Sequence, residues 1–123
     1  MKMKLIGALL LIVGVVAGRA WGAQDAAKKA YVIGQIDVSN PQTYGEYAKR
    51  SPDIIAKYGG RFIARAGRTV TLEGPAARSR VVIIEYPSFE RAQAWFNSPE
   101  YQQAKKLREG AANASFIVVE GSN

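Results

Sequence analysis

The chain has 123 residues, 17 of them basic and 10 acidic, for a formal charge of +7, and it contains neither cysteine nor histidine. Those two absences exclude disulfides, thiolate metal sites and a lipid-modified N-terminal cysteine. They also remove the commonest general base, the usual haem ligand and Ser-His or Cys-His nucleophile pairs, leaving carboxylates, tyrosines, lysines and arginines to carry any chemistry.

The opening stretch has the parts of an export signal in order. Lys2 and Lys4 form a positive start, Leu5 to Ala17 an apolar run, and Ala20, Gly22 and Ala23 a zone of small residues suited to cleavage. The apolar run is shorter than the roughly 20 residues a membrane-spanning helix needs, so a signal over residues 1–23 is expected, with no stable membrane insertion after cleavage. The location implied is outside the cytoplasm, in the periplasm. Loss of Lys2, Lys4 and Arg19 leaves 14 basic against 10 acidic residues, a net +4. These positives are interleaved with acids instead of forming a phosphate-contacting run, which argues against nucleic acid as a partner.

Residues 24–30, polar and rich in Ala and Lys, read as a linker. A single domain is expected over residues 31–121. "YVIGQIDV" (Tyr31–Val38) has the β-branched and aromatic content of a strand, and Asn40-Pro41 then supplies a helix cap and a first-turn proline. In that helix Tyr44, Tyr47, Ala48, Ile55 and Tyr58 share one face. Ser51-Pro52 predicts a kink or restart, with Ser51 as the new cap, and Gly59-Gly60 ends the helix. "RFIARAGRTVTLEG" predicts a strand with an irregularity at Gly67, turning at "EGPAAR" into the strand "SRVVIIEY" to make a long hairpin. Ser88 opens another helix, Ser98-Pro99 restarts it, and "SFIVVEG" is a final strand.

The order strand, helix, strand, strand, helix, strand gives an α+β fold of ferredoxin-like βαββαβ type, a four-stranded antiparallel sheet with helices on one face. The strands carry apolar side chains on both faces. One helix layer covers only one of them, so a second sheet is expected over the other, predicting a homodimer.

The stretches Tyr31 to Gly67 and Arg80 to Gly121 together resemble the bacterial family known as domain of unknown function 1330, within the dimeric α+β barrel group. The likeness rests on the Tyr-Gly-Gly turn into an arginine-bearing strand, "IIEYPS", "SPEYQ" and "IVVEG". It departs at Tyr86, where the family more often has Phe, at Ala66, where it usually has glycine, and in the signal that precedes the domain. The resemblance implies the fold and a face-to-face dimer. It implies no reaction: the wider group holds cofactor-free monooxygenases, isomerases and haem enzymes, and their catalytic residues do not map onto this chain.

Strand parity places Arg61, Ile63 and Arg65 on one face, and Val81, Ile83 and Glu85 on one face of the neighbouring strand. With a bulge at Gly67, Arg65 is expected to meet Glu85 beneath the helices, as a structural ion pair or as an arginine poised for a ligand anion. Tyr47, Trp95, Tyr101 and Arg108 fall on the inner helix faces, as core or as pocket lining. Arg68 and Arg78 near the turn are expected to guard a strand edge. Three functions stay open. The first is binding of a small molecule between sheet and helices, without a cofactor. The second is a cofactor-free enzyme acting on a small anionic or aromatic substrate, with Glu85 or a tyrosine moving protons and Arg65 or Arg108 steadying negative charge. The third is an interaction module with no ligand.

Overall fold

The computed structural model describes residues 27–123, so the expected signal lies outside the described residues. β1 spans Ala30–Val38, α1 Pro41–Lys57, β2 Arg61–Arg65 and β3 Arg80–Tyr86. α2 spans Phe89–Asn97 and α3 Pro99–Lys105, with a 3-10 turn at Lys106–Arg108, and β4 spans Ala112–Glu120. The strands form one antiparallel sheet in the order β2-β3-β1-β4, the ferredoxin-like arrangement that the element order predicts.

Alternation along the strands sets the core. Val32 and Ile36 of β1 and Val82, Ile84 and Tyr86 of β3 are buried against Tyr44, Tyr47 and Ile55 of α1, Trp95 of α2 and Tyr101 of α3. Removing each of the fully buried isoleucines Ile36, Ile55 and Ile84 from water contributes roughly 1.5–3 kcal/mol. The helices begin as their sequences dictate. Asn40 Oδ1 accepts from the Thr43 amide at 3.1 Å, and Ser88 Oγ from the Arg91 amide at 3.1 Å.

The two Ser-Pro pairs behave differently. Ser98 has extended backbone and ends α2 while capping α3: its Oγ donates to the Trp95 carbonyl at 2.8 Å and accepts from the Tyr101 amide at 3.1 Å. At Ser51-Pro52 the expected restart does not occur, and α1 continues through both residues with Ser51 buried. Pro52 has no amide hydrogen, so the carbonyl of Ala48, four residues earlier, loses its helical donor. Arg65 Nη2 reaches across from β2 and donates to that carbonyl at 3.3 Å.

The predicted long hairpin is also corrected. β2 stops at Arg65, Ala66 takes a left-handed φ of 56°, and residues 66–79 add no strand. The irregularity sits earlier than Gly67: the register shifts between Phe62 and Ala64, leaving Ile63 as an extra residue. Arg78 stands at the sheet's end as expected, its guanidinium 3.6 Å from Asp37 and donating to the Asn113 carbonyl at 3.4 Å.

The Tyr-Gly-Gly turn uses each glycine for a different reason. Gly59 has φ +83° and closes α1. Gly60 lies so close to β3 that a Cβ there would stand 2.5 Å from the Tyr86 ring and 2.8 Å from Ile55. Gly60→Ala is therefore expected to destabilise the protein by about 1–3 kcal/mol through overpacking. Gly45→Ala, in α1 with open space around the added methyl, is expected to stabilise it by about 0.5–1 kcal/mol. Urea unfolding of the two variants beside the wild type checks both signs.

Candidate functional site

The layer between sheet and helices is built from rings and guanidinium groups. α1 contributes Tyr44 and Tyr47, one turn apart with ring centroids 5.5 Å from each other. α3 contributes Tyr101, whose hydroxyl lies 2.7 Å from the Tyr47 hydroxyl and whose ring lies 4.4 Å from that of Trp95. Trp95 in turn packs on Tyr86 at 5.5 Å. Arg108 enters from the 3-10 turn, with its guanidinium 5.2 Å from the Tyr47 ring and 5.2 Å from the Phe116 ring, and Nη2 a long 3.5 Å from the Tyr101 hydroxyl. Arg80, at the start of β3, places its guanidinium 5.5 Å from the Tyr44 ring.

Arg108 is only 6% exposed, yet among the described residues no carboxylate lies within ion-pair distance of it. Among the described residues the ion pairs join Lys29 and Arg61 to Glu85, Lys49 to Glu46, Lys57 to Glu100 and Arg78 to Asp37, and none includes Arg80 or Arg108. Four buried polar atoms have no protein partner: Arg80 Nε, Arg108 Nε, Trp95 Nε1 and the Tyr86 hydroxyl. An unpaired buried donor costs on the order of 1–3 kcal/mol, and more when it carries charge. Four among the described residues, all in one layer, leave donors there for water or a bound group to meet.

Three phenols here, Tyr44, Tyr86 and Tyr101, are held toward their protonated form. Burial pushes Tyr86 well above the usual tyrosine range. Tyr101 is displaced the same way, by burial first and then by its neighbour Tyr47. Tyr44 is raised by burial although the charges of both Arg80 and Arg108 oppose the shift, which places the two guanidinium groups around one ring. Burial works against the charge on Arg108, but the Tyr101 hydroxyl beside it outweighs that and holds it above the ordinary guanidinium value. The layer therefore offers hydrogen-bond donors and positive charge. It offers no proton acceptor: the two half-buried glutamates are engaged elsewhere, Glu85 with Arg61 at 3.1 Å and Glu100 with Tyr58 at 2.6 Å.

Two cavities adjoin the cluster. One, of about 230 Å³, opens between α2 and β4 and is lined by Val32, Ala92, Trp95, Phe96, Phe116 and Val118, with Gln93 and Asn97 at its polar side. The other, of about 20 Å³, lies among Tyr44, Tyr47, Ser51, Arg65, Arg80 and Phe116. Phe116 is a wall of both. Its ring lies over Gly34, where a Cβ would stand 2.4 Å from it.

Of the six residues singled out from sequence, Tyr47, Trp95, Tyr101 and Arg108 come together in this layer. Arg65 reaches its edge, lining the smaller cavity with its guanidinium 4.3 Å from the Phe62 ring. Glu85 does not join them. β3 turns Val82, Ile84 and Tyr86 toward the helices, so Glu85 projects from the opposite face, 3.1 Å from Arg61 and 3.6 Å from Lys29. The expected meeting of Arg65 with Glu85 fails because the extra residue at Ile63 reverses parity within β2: Arg61 pairs with Glu85 in the register, and Arg65 with Val82. Arg80, Tyr44 and Phe116 were missed. The alternation of Arg80 with Val82, Ile84 and Tyr86 was the available signal for the first.

The family described as a domain of unknown function (DUF1330) matches residues 29–122. The chain belongs to the DUF1330 family. No curated protein matches it. Solved structures similar to this DUF1330 chain include a protein of unknown function from Rhodopseudomonas palustris, 20% identical over 87% of this chain and 92% of that one, with a TM-score of 0.61. SnoaB, a cofactor-independent oxygenase from Streptomyces nogalater, is 13% identical over 79% of this chain and 96% of its own, with a TM-score of 0.57. A putative antibiotic biosynthesis monooxygenase from Nitrosomonas europaea is 14% identical over 77% and 91%, with a TM-score of 0.55. At these identities the likeness is one of fold.

In this DUF1330 domain, Arg65 acts first as the donor for the carbonyl that Pro52 leaves unpaired. Arg65→Ala is expected to cost about 1–2 kcal/mol, from a charge-assisted hydrogen bond and the contact with Phe62. In a Pro52→Ala background, where the Ala48 carbonyl regains a helical amide, the same change is expected to cost measurably less. A double-mutant cycle by chemical denaturation reads the coupling, and additivity would rule it out.

Proposed function

We propose that this chain is an exported, homodimeric small-molecule-binding protein that holds an anionic group in the layer between its helices and its sheet. One observation carries the ligand reading: Arg108 is buried among rings with no carboxylate among the described residues to balance it. A guanidinium in such surroundings is matched by a bound anion, to which it offers a planar fork of donors. The Tyr101 hydroxyl, kept protonated by burial and hydrogen-bonded to that of Tyr47, lies beside it as a further polar group. Binding is favoured over the cofactor-free enzyme because the layer holds donors without a general base, and Glu85, the carboxylate considered for proton transfer, faces away. Export rests on the sequence of residues 1–23 alone.

The homodimer is supported by the open sheet face. Ile33 of β1 lies between Ile83 of β3 and Ile117 of β4 in the register, an apolar row across the sheet. Ile117 is 62% exposed, Val119 46% and Ile63 45%. Exposed apolar side chains on both edge strands, joined by the isoleucine row between them, support an interaction surface. Val70 and Leu72, on the segment leading out of β2, are also exposed, at 78% and 91%.

Addition of sodium acetate at constant ionic strength is expected to raise the Tm of the wild type and to leave that of Arg108→Met unchanged, as binding to the native state alone requires. The variant on its own is expected to lose stability, since Met gives up the Arg108 contacts with the Tyr47 and Phe116 rings and the Tyr101 hydroxyl, so the acetate-dependent shift is compared and not the starting Tm. An equal Tm rise in both proteins, or none in either, would refute the anion reading. For assembly, light scattering is expected to give twice the chain mass for the wild type and a monomer for Ile117→Asp. A monomeric wild type would refute the dimer.

A further inference from the structure

We propose that the ligand is an aromatic carboxylate that spans both cavities, its ring system in the larger one and its carboxylate beside Arg80 and Arg108, with Phe116 turning aside to join them. This rests on the anion reading and adds to it the chemistry of the rest of the ligand and the residue that sets its length.

The larger cavity is chemically one-sided. Trp95, Phe96 and Phe116 give it three aromatic walls, and Val32, Ala92 and Val118 complete an apolar lining. At about 230 Å³ it is smaller than the pockets of drug-sized ligands, which run from about 300 Å³ upward, and it suits one or two fused rings. Aromatic walls favour a flat aromatic guest in offset or edge-on contact. Nothing in that lining balances a charge. The charge-bearing groups lie on the other side of Phe116, where the smaller cavity is bordered by Arg80 and Arg65. About 20 Å³ is room for roughly one water-sized group. That fits the end of a carboxylate better than a phosphate with its three or four oxygens. Arg80, Arg65 and Tyr47 border it with donors, and Arg108 stands behind the Tyr47 and Phe116 rings that wall it, 5.2 Å from each.

Phe116 is the divider. It borders both spaces, packs on the Arg108 guanidinium at 5.2 Å, and is only half-buried, on the edge strand β4. The rings beside it, Trp95 and Phe96, are each 6.5 Å away between centroids, edge-on or tilted and not stacked on it. Gly34 beneath it has no side chain, and the ring occupies the space that one would need, since a Cβ there would stand 2.4 Å from it. A short acid would bind on one side of this ring, and a longer one would have to displace it.

The test is calorimetric titration of the protein from residue 24 onward with 2-naphthoate, its neutral counterpart 2-naphthylmethanol, and acetate. Naphthoate is expected to bind at least about tenfold more tightly than the alcohol, and Arg108→Met to bring it down to the alcohol's affinity while leaving the alcohol unchanged. Phe116→Ala is expected to tighten naphthoate several-fold and leave acetate unaffected. Should that variant fold poorly, competition in the wild type serves instead: acetate and the alcohol each displace naphthoate yet bind together. Acetate binding that depends on Arg108, with naphthoate no tighter than acetate, would overturn the two-cavity ligand and leave the anion site standing. Failure of acetate and naphthoate alike would overturn both. Naphthoate binding that Arg108→Met does not weaken would overturn the placement of the carboxylate.

Discussion

Everything in this domain is arranged around a sheet face that packs rings rather than aliphatic chains. Tyr86, Trp95, Tyr101 and Tyr47 form a continuous aromatic seam from β3 through both C-terminal helices to α1. Large flat side chains bury much apolar surface for few rotatable bonds, but their polar ends must be satisfied wherever they stop. Tyr47 and Tyr101 answer that demand with each other. Tyr86 and Trp95 do not, and the guanidinium groups of Arg80 and Arg108 enter the same layer with donors to spare. The seam that stabilises the fold thus also concentrates unmet donors in one place, and the candidate site is a by-product of how the core is built.

Much of the fold was legible in the residues because local signals and burial agree. The Asn40-Pro41 and Ser98-Pro99 devices, the glycine pair at the end of α1 and the apolar strands all mean in the structure what they mean in isolation. What went astray is equally physical. A period of two tracks a strand only while no residue is inserted, and the extra residue at Ile63 exchanges the faces of everything after it. β3, apolar on both faces but for its charges, could be threaded either way up. Glu85, alternating with Val81 and Ile83, marks the face turned from the helices, while Arg80 hides in the layer by alternating with Val82 and Ile84. Proline at position 52 reads as a break in one dimension and is absorbed in three, because the replacement donor comes from a strand that sequence spacing does not connect to it.

The two faces of the sheet divide the work. The helix side is polar in a few chosen atoms and closed, while the outer side is apolar and open, held at one margin by Lys29, Glu85 and Arg61. Burial of the outer face against a second copy would stiffen β1 and β4 from behind. Phe116 projects from β4 into the layer under the helices, so a contact on the outer face and a group held in that layer would act on the same strand from its two sides. The charge of Glu85, which seemed to belong to a site, instead lies where it can order the rim of an interface.

Pro52 and Arg65 illustrate how such a molecule constrains its own descent. Neither residue is forced by its own element: a helix does not require the proline, and an edge strand does not require that arginine. Once both are present, each removes a freedom from the other, since the arginine cannot be lost without orphaning a carbonyl and the proline gives the arginine its partner. Reversal is easiest in one order, proline first. A chain without the proline would leave the arginine unengaged, and a position at the mouth of the smaller cavity would be open to change.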